Sequence, residues 1–255
     1  VNVLESLKKT NHKCAVIVVT SDKCYENKEW YWSYRESDRL FGADPYGASK
    51  SMAENVVRAY HHTFFKKTDS VKVATVRAGN VFGGGDWSAN RLVPDCIRAW
   101  SEGRQIDIRS AKATRPWSYV LDILRGYLML GKALSEREEL NGESFNFGPT
   151  KLEPIPVLDF VERIWSSFGT KGTTVPINVV SSNSEKVENT QLRLTSEKAM
   201  IMLGWHPVLD INMAIDETVY WYKQYLEDTN HARLITDCLV SEYLSKNIDE
   251  RGLCS

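Results

Sequence analysis

The sequence has no long apolar run, and this absence excludes a membrane-spanning helix. The longest uninterrupted run near its start, Ala15–Val19, is far shorter than the roughly 20 residues that cross a bilayer. In the first nine residues the lysines follow the apolar side chains, an order opposite to that of a signal peptide. We therefore expect a cytoplasmic protein that does not bind membranes.

The sequence also has no excess of one charge. Its 32 Lys and Arg nearly balance its 33 Asp and Glu, for a net charge of −1, so no basic field attracts nucleic acid. The five cysteines show no CxxC spacing, and we interpret them as reduced thiols. His61 and His62 have no third ligand at a suitable spacing, so we expect no metal site.

What the sequence does contain is an alternation of strand and helix patterns. The β-branched run Ala15–Thr20 is typical of a strand buried on both faces of a parallel sheet. Asp44 and Pro45 are typical of a helix N-terminus, and an apolar stripe that reaches Phe64 continues the helix. A second strand at 71–76 completes a βαβ unit, for which we expect a right-handed crossover.

The rest of the chain mixes helices with short strands and shows no linker. The fold class is therefore α/β: the C-terminal part of a Rossmann-like doubly wound parallel sheet, plus a smaller mixed α/β domain. We assign residues 1–85 to the first and residues 86–255 mainly to the second, with segments that return to the first. We predict helices at 92–100, 120–134, 157–168, 195–203, 210–227 and 231–244, and strands at 106–109, 144–148 and 176–180.

One element of such a sheet is absent. A dinucleotide-binding sheet normally begins with a strand, a GxGxxG turn and a helix. The only glycine cluster here, Gly83–Gly85, follows a late strand, and the chain begins within a predicted helix and without Met. We therefore expect that roughly the first 100 residues of the sheet are missing from this chain.

Two groups of side chains carry the predicted chemistry, and the first is a YxxxK pattern. Tyr46 and Lys50 lie at the start of the first long helix, and their i, i+4 spacing places both on one face. A nearby ammonium favours the phenolate, which can then accept a proton from a hydroxyl. The pattern alone is weak, because most such matches are surface residues of a helix.

The second group follows the first predicted strand. Ser21, Asp22 and Lys23 lie at its carboxyl end, where open α/β sheets bind their ligands. A hydroxyl, a carboxylate and an amine at that edge form a suitable acid/base set. The alternative is a polar turn in which Ser21 and Asp22 cap backbone groups.

The order of these motifs resembles the extended short-chain dehydrogenase/reductase family: a strand ending in Ser or Thr, about two dozen residues, and then YxxxK. Within that family the run from Ser21 to Tyr25, with Gly83–Trp87, is similar to CDP-glucose 4,6-dehydratases. Gln191 and Thr195 depart from the pattern, because relatives have an aromatic residue and an Asp there. Further family motifs follow in order along nearly the whole chain: Arg77–Gly83 (R-x-x-N-x-x-G), Arg91–Asp95, Arg115–Trp117 (R-x-W), Phe145–Gly148 (F-N-F-G) and Leu203–Pro207 (L-G-W-x-P).

The resemblance implies an NAD-dependent lyase that converts CDP-D-glucose to its 4-keto-6-deoxy derivative, in deoxysugar biosynthesis for lipopolysaccharide O-antigen. It implies that Tyr46 removes the proton of the 4-hydroxyl, that Lys50 stabilises the phenolate and holds the nicotinamide ribose, and that Ser21 orients the 4-oxygen. Asp22 becomes the acid for the departing 6-hydroxyl. Lys23 becomes either the base for the C5 proton or an electrostatic stabiliser of the enolate.

The resemblance also implies residues that bind the cofactor and the substrate. Ala78, Gly79 and Val81 are expected to face the nicotinamide through backbone groups. For the substrate, arginine binds phosphate at two points, although each arginine has the alternative of a solvated or structural ion pair. Trp87 and Trp117 are expected in the core and not on a ligand. The candidates for the substrate pyrophosphate are Arg115, Asn80, Arg91 and Arg109.

Relatives pair through the helix that carries the YxxxK motif, so a homodimer or homotetramer is expected. Two other functions remain open. A nucleotide-sugar 4-epimerase shares Tyr46, Lys50 and Ser21 but needs no acid/base pair for elimination, and a binding or sensor module usually lacks the tyrosine. Because the GxGxxG turn is absent, we also predict that these 255 residues alone bind NAD poorly and are inactive.

Overall fold

The computed structural model describes residues 1–10, 12–68, 70–150, 155–169, 172–180 and 191–249, and the chain divides into two compact units. Both units combine helices with strands, which confirms the expected α/β class. The assignment of residues 1–85 to the Rossmann-like part and of residues 86–255 mainly to the smaller domain remains a prediction. The first unit comprises Val1–Asn80, Ile123–Leu152 and Gln191–Pro207, and the second comprises Val81–Asp122, Glu153–Thr190 and Val208–Ser255.

The first unit is built on a parallel three-stranded sheet in the order β1-β2-β7. β1 is Cys14–Val19, β2 is Val71–Ala78 and β7 is Ser144–Phe147. The central strand β2 is buried along nearly its whole length, because it has a neighbour on each side. The expected burial of β1 on both faces is not observed in this chain: β1 is only partly buried, and among the described residues it pairs with β2 alone.

Helix α2, Pro45–Tyr60, connects β1 to β2 and carries the YxxxK motif. It begins as predicted, with the Asp44 carboxylate accepting a hydrogen bond from the Gly47 amide (2.9 Å). A π-helix, His61–Phe65, extends it toward β2. The other helices of this unit are α1 (Asn2–Leu7), α4 (Val120–Glu136), which enters it at Ile123, and α6 (Glu197–Leu203).

Two apolar clusters stabilise the first unit. One lies between α1, α2 and the sheet and contains Leu4, Val57, Phe65, Val71 and Val73. The other lies under the long loop that precedes α2 and contains Cys24, Tyr25, Tyr34, Leu192 and Leu194. The stacked rings of Tyr25 and Tyr34 (centroids 5.1 Å apart) therefore anchor a loop that has little regular structure of its own.

The second unit packs helices around short two-stranded sheets. Trp117 lies in its core, stacked on Phe160 with centroids 4.0 Å apart, and Trp87 packs edge-on against Tyr222. Trp117 therefore lies in the core, as predicted, whereas Trp87 is only partly buried and packs against the core. The helices are α3 (Leu92–Ser101), α5 (Val157–Phe168), α7 (Ile211–Glu227) and α8 (Ala232–Asp249), and the sheets pair β3 (Asn80–Phe82) with β6 (Trp117–Tyr119), β4 (Ile106–Ile108) with β9 (Ile177–Val179), and β5 (Thr114–Arg115) with β8 (Ile155–Pro156).

The predicted helices and strands after residue 90 are confirmed to within a few residues at their ends. No helix in the described part of the chain is long and apolar enough to cross a membrane. Four cysteines lie in the described ranges as free thiols, at positions 14, 24, 96 and 238, and Cys254 lies outside them. His61 is half-buried, because its ring packs against the backbone of Gly142.

Candidate active site

The turn after β1 holds three of the candidate catalytic residues. Ser21 precedes a short 3-10 turn, Asp22–Cys24. Its hydroxyl donates a hydrogen bond to the Asp22 carboxylate (3.0 Å) and accepts one from the Lys23 amide (3.2 Å). Ser21 and Asp22 are buried, and Lys23 is exposed. The serine therefore caps its own turn, the alternative raised by the sequence, while it lies at the ligand-binding edge of the sheet.

Tyr46 and Lys50 lie on the first two turns of α2. Half of the Tyr46 surface, 51%, is exposed, although most tyrosines of the described chain are more buried. The Lys50 ammonium lies 5.6 Å from the centroid of the Tyr46 ring, so the two side chains share one helical face, as their spacing predicts. A phenol held in this way, open to solvent and beside a cation, is available to a ligand.

Close backbone packing holds the start of α2 against the turn after β1. A Cβ atom at Gly47 would lie 2.6 Å from the Lys23 carbonyl oxygen, and one at Gly42 would overlap the Gly47 backbone. Ser51 reinforces this contact. Its hydroxyl donates to the Cys24 carbonyl (2.7 Å) and accepts from the Gly42 amide (2.9 Å). Residues next to Tyr46 and Lys50 therefore bind the segment that contains Lys23.

A buried ion pair lies beneath these residues. Glu54, one helical turn after Lys50, accepts two hydrogen bonds from Arg77 of β2 (2.9 and 2.8 Å). It also accepts from the hydroxyls of Thr20 (2.5 Å) and Thr75 (2.7 Å). Burial alone would raise the pKa of Glu54, but the hydrogen bonds and charge of Arg77 outweigh it, so the pKa lies below its ordinary value.

Arg77 uses all of its donors. Its remaining N–H groups bind the Tyr25 hydroxyl (2.8 Å), the Glu36 carbonyl (3.0 Å) and the Ser144 hydroxyl (3.2 Å). Tyr25 in turn donates to the side chain of Asn146 (2.8 Å). A buried charge is tolerated only when it is paired and fully hydrogen-bonded, and the Arg77 guanidinium meets both conditions.

Sequence reasoning found Arg77 and Asn146 as family motif positions but assigned them no role, and it did not find Glu54. In the structure these residues form a buried polar network that links β1, α2, β2 and β7. One signal was available: Glu54 continues the i, i+4 series of Tyr46 and Lys50. A charged arginine inside an otherwise β-branched strand was another, because such a charge needs a partner.

Three further candidates lie at the end of β2 and directly after it, at the same edge of the sheet. β1 and β2 run parallel, with Val19 beside Val76, and the Thr20 amide donates to the Val76 carbonyl (2.8 Å). Ala78 ends β2 in the buried interior, and Gly79 and Asn80 follow it, half-buried. The first unit therefore brings Ala78, Gly79 and Asn80 to the edge that carries Ser21.

The remaining candidates belong to the second unit, on four different segments. Val81 lies within β3 and is half-buried. Arg91 is exposed immediately before α3, and Arg109 is exposed immediately after β4. Arg115 is half-buried in β5, where its guanidinium donates to the Thr114 carbonyl (2.9 Å). The roles expected for these four residues remain predictions.

These features define a class of protein. A parallel sheet carries a hydroxyl side chain at the end of one strand, and the next helix presents a tyrosine–lysine pair beside it, which is the arrangement of a short-chain dehydrogenase/reductase. The NAD dependent epimerase/dehydratase family matches residues 1–148, and the chain belongs to that family. The resemblance inferred from the motifs is thereby confirmed, and the expected cofactor, NAD, is the one that the family is named for.

Individual relatives resemble the chain over most of its length. The chain is 34% identical over 249 residues to CDP-glucose 4,6-dehydratase of Salmonella typhimurium, and the match covers 96% of this chain and 68% of that protein. It has the fold of UDP-glucuronic acid 4-epimerase of Bacillus cereus, solved with UDP-glucuronic acid and NAD (TM-score 0.73, 21% identity, 87% of this chain, 65% of that one). A dTDP-glucose 4,6-dehydratase of Streptomyces venezuelae gives a TM-score of 0.70 at 22% identity, over 87% of this chain and 62% of that one. The chain thus spans less than two thirds of these two solved chains.

Proposed function

We propose that the protein is a nucleotide-sugar 4,6-dehydratase that acts on CDP-D-glucose. The observation that carries this proposal is the buried Asp22 carboxylate beside Ser21 at the open sheet edge. Removing the 6-hydroxyl of a sugar needs an acid, whereas epimerisation at C4 does not. The 34% identity to a CDP-glucose 4,6-dehydratase supports cytidine as the nucleoside of the substrate.

The first half of the reaction is an oxidation at C4 of the glucose ring. Tyr46, as phenolate, accepts the proton of the 4-hydroxyl, and the Lys50 ammonium stabilises the phenolate. Ser21 donates a hydrogen bond to the 4-oxygen once its hydroxyl turns from Asp22 to the substrate. The half-exposed phenol and the nearby ammonium fit this role.

The second half is an elimination across C5–C6, which the C4 ketone makes possible by acidifying the C5 proton. Asp22, as the protonated carboxylic acid, donates the proton that leaves with the 6-hydroxyl as water. Lys23 has two open roles: base for the C5 proton, as a neutral amine, or electrostatic stabiliser of the enolate, as an ammonium. Its exposed position leaves its side chain able to reach a ligand at the sheet edge in either role.

The residues at this edge fit NAD. Lys50 and Tyr46 would hold the nicotinamide ribose, and the backbone of Ala78, Gly79 and Val81 would border the nicotinamide ring. When bound, NAD would supply the hydride acceptor for C4 and the hydride donor for C6, so the reaction has no net redox change. The pyrophosphate of the substrate would be held by Arg115 and Asn80, with Arg91 and Arg109 as further candidates.

We also propose that the protein assembles as a homodimer or homotetramer through α2 and α4. Met52 on α2 is 61% exposed, and Leu124 and Leu128 on α4 are 47% and 76% exposed. Exposed apolar side chains on two helices of one unit are typical of an interface. Light scattering coupled to size exclusion tests this assembly: Leu128→Glu should shift the protein to a monomer, and an unchanged mass would contradict the proposal.

The test of the activity uses the 255 residues joined at their N-terminus to a dinucleotide-binding segment that carries a GxGxxG turn, here named the extended protein. It is incubated with NAD and either CDP-glucose or dTDP-glucose, and products are followed by mass and by the alkaline absorbance of a 4-keto sugar. We expect loss of one water from CDP-glucose. Turnover of dTDP-glucose alone would retain the dehydratase and reject cytidine.

A 4-epimerase is the second candidate, because a UDP-glucuronic acid 4-epimerase shares the fold. Epimerisation leaves the 6-carbon substituent in place and the substrate mass unchanged. If the extended protein binds NAD, removes water from neither glucose nucleotide and instead inverts C4 of a nucleotide sugar, the dehydratase proposal is wrong.

A further inference from the structure

The residue before Ser21 is joined directly to the catalytic helix. The Thr20 hydroxyl donates to Glu54 at 2.5 Å, and the Thr20 backbone amide donates to the Val76 carbonyl at 2.8 Å. Thr20 and Glu54 are both buried, at 6% and 3% exposure. The end of β1 is therefore fixed both to β2, through its backbone, and to α2, through a side-chain hydrogen bond.

Hydrogen bonds from Arg77 and Thr75 hold the Glu54 carboxylate in a fixed position. Arg77 binds both of its carboxylate oxygens, and Thr75 binds one of them from β2. Two-point arginine–carboxylate pairs fix orientation as well as distance. Among the described residues that bind Glu54, Thr20 alone is adjacent to a candidate catalytic residue, because Thr75 and Arg77 lie within β2 and Ser144, whose hydroxyl is 3.5 Å from Glu54, begins β7.

We propose that Thr20 and Glu54 are positioning residues, whose hydrogen bond sets Ser21 and Asp22 relative to Tyr46 and Lys50. The inference rests on the proposed function, since it concerns the relative position of two groups of side chains that act on one sugar. Glu54 lies on the same face of α2 as the tyrosine–lysine pair. A shift of the strand end by about 1 Å can lower the rate a hundredfold. The single buried hydrogen bond between Thr20 and Glu54 therefore has a large effect on catalysis.

The structure offers a matched pair of variants. Thr20→Val and Thr75→Val each replace a buried hydroxyl that donates to Glu54 with a methyl group of similar size. Both remove a second contact as well, to the Val76 carbonyl for Thr20 and to the Ser144 hydroxyl for Thr75. A role that is only structural predicts similar effects of the two variants on stability and on activity.

The first readout needs no activity and uses the 255-residue chain. The Lys23 amide donates to the Ser21 hydroxyl, so its hydrogen exchange reports the order of the turn after β1. We expect Thr20→Val to speed exchange at Lys23 severalfold over wild type, and Thr75→Val to leave it near wild type. Equal exchange at Lys23 in the two variants would overturn the inference, whatever the protein catalyses.

The second readout is steady-state turnover of the extended protein with CDP-glucose. We expect Thr20→Val to lower kcat about tenfold or more with little change in KM, and Thr20→Ser, which keeps the hydroxyl, to restore it. Thr75→Val should lose a similar amount of thermal stability but keep its kcat. An unchanged kcat in Thr20→Val would overturn the inference. An inactive wild type would instead reject the proposed function, and the exchange readout would still decide the positioning role.

Discussion

The Glu54 carboxylate and the Arg77 guanidinium form a two-point ion pair that is almost fully withdrawn from solvent, with side-chain exposures of 2% and 0%. The pair joins the helix that carries Tyr46 and Lys50 to the central strand of the sheet. Isolated charges at such depth would be unstable. The pair is retained because each partner satisfies the other, and the surrounding hydroxyls of Thr20 and Thr75 complete the coordination of the carboxylate.

Glu54→Gln should strongly destabilise the fold, because it leaves the Arg77 charge buried without a carboxylate. Breaking one partner of a buried pair costs about 3–5 kcal/mol. Glu139→Gln, which removes an exposed partner of Arg137, is the matched control and should change little. Urea denaturation of the 255-residue chain measures both. Equal midpoints for the two variants would contradict the structural role of the pair.

The Glu54–Arg77 ion pair should also make the stability of the fold depend on pH. The pKa of Glu54 in the folded state lies below its ordinary value of 4.5, so the group stabilises the fold above that pH and loses its contribution as the pH falls through the folded value. The difference in free energy of unfolding between wild type and Glu54→Gln should therefore be full near pH 6 and shrink on acidification below about 4.5. A difference that is constant with pH would show that the carboxylate charge is not responsible.

Gly47→Ala should displace the start of α2 from the turn after β1. Its Cβ would lie 2.6 Å from the Lys23 carbonyl oxygen, and overpacking of this kind costs about 1–3 kcal/mol. Gly131→Ala on α4 is the control, because nothing lies within 4 Å of its Cβ. Alanine there should stabilise the helix by up to about 1 kcal/mol. Thermal denaturation should thus give shifts of opposite sign, and shifts of the same sign would refute the close contact at Gly47.

Tyr46→Phe should abolish turnover of the extended protein without unfolding it. General acid–base catalysis contributes about 10²–10⁴-fold, and the half-exposed ring loses only its hydroxyl. Tyr220→Phe is the control, because Tyr220 is 51% exposed, the same as Tyr46, and lies on α7. Retention of wild-type kcat by Tyr46→Phe would exclude the phenol as the base.

Arg115→Lys tests the proposed pyrophosphate contact. Lysine keeps the charge but cannot bind phosphate at two points, so KM for the nucleotide sugar should rise about tenfold while kcat changes less. Arg233→Lys, at a side chain that is 94% exposed on α8, should leave both constants unchanged. A KM for Arg115→Lys within twofold of wild type would remove Arg115 from the substrate site.

Much of the fold could be predicted from local patterns. Helix α5 was predicted at its observed bounds from apolar periodicity, and α2 from its Asp44–Pro45 start. The strands β5 and β8 were missed, because two residues are too few to show a period. The partial exposure of β1 does not follow from its apolar run, because such a run does not show how many strands pair with it.

The candidate site, like the fold, could be predicted from the sequence only in part. The order of Ser21, Tyr46 and Lys50 along the chain was enough to predict which helix and strand end carry them. The sequence offered signals for Glu54 and Arg77 but not for all the contacts of the network, because Tyr25 and Asn146 meet across 121 positions of sequence. Glu54 by itself resembles any polar residue on a helix. Only the packing of α2 on the sheet shows that it is buried against Arg77.

The most direct test of the proposed dehydratase activity follows the hydrogen at C4 of the glucose ring. The extended protein is given NAD and CDP-glucose labelled with deuterium at C4, and the product is analysed by mass and by NMR. If the protein is a 4,6-dehydratase, the product should be a 4-keto-6-deoxy sugar that has lost one water and carries the deuterium at C6. A product that keeps its 6-hydroxyl, or one that has lost water without deuterium at C6, would contradict the proposed dehydratase.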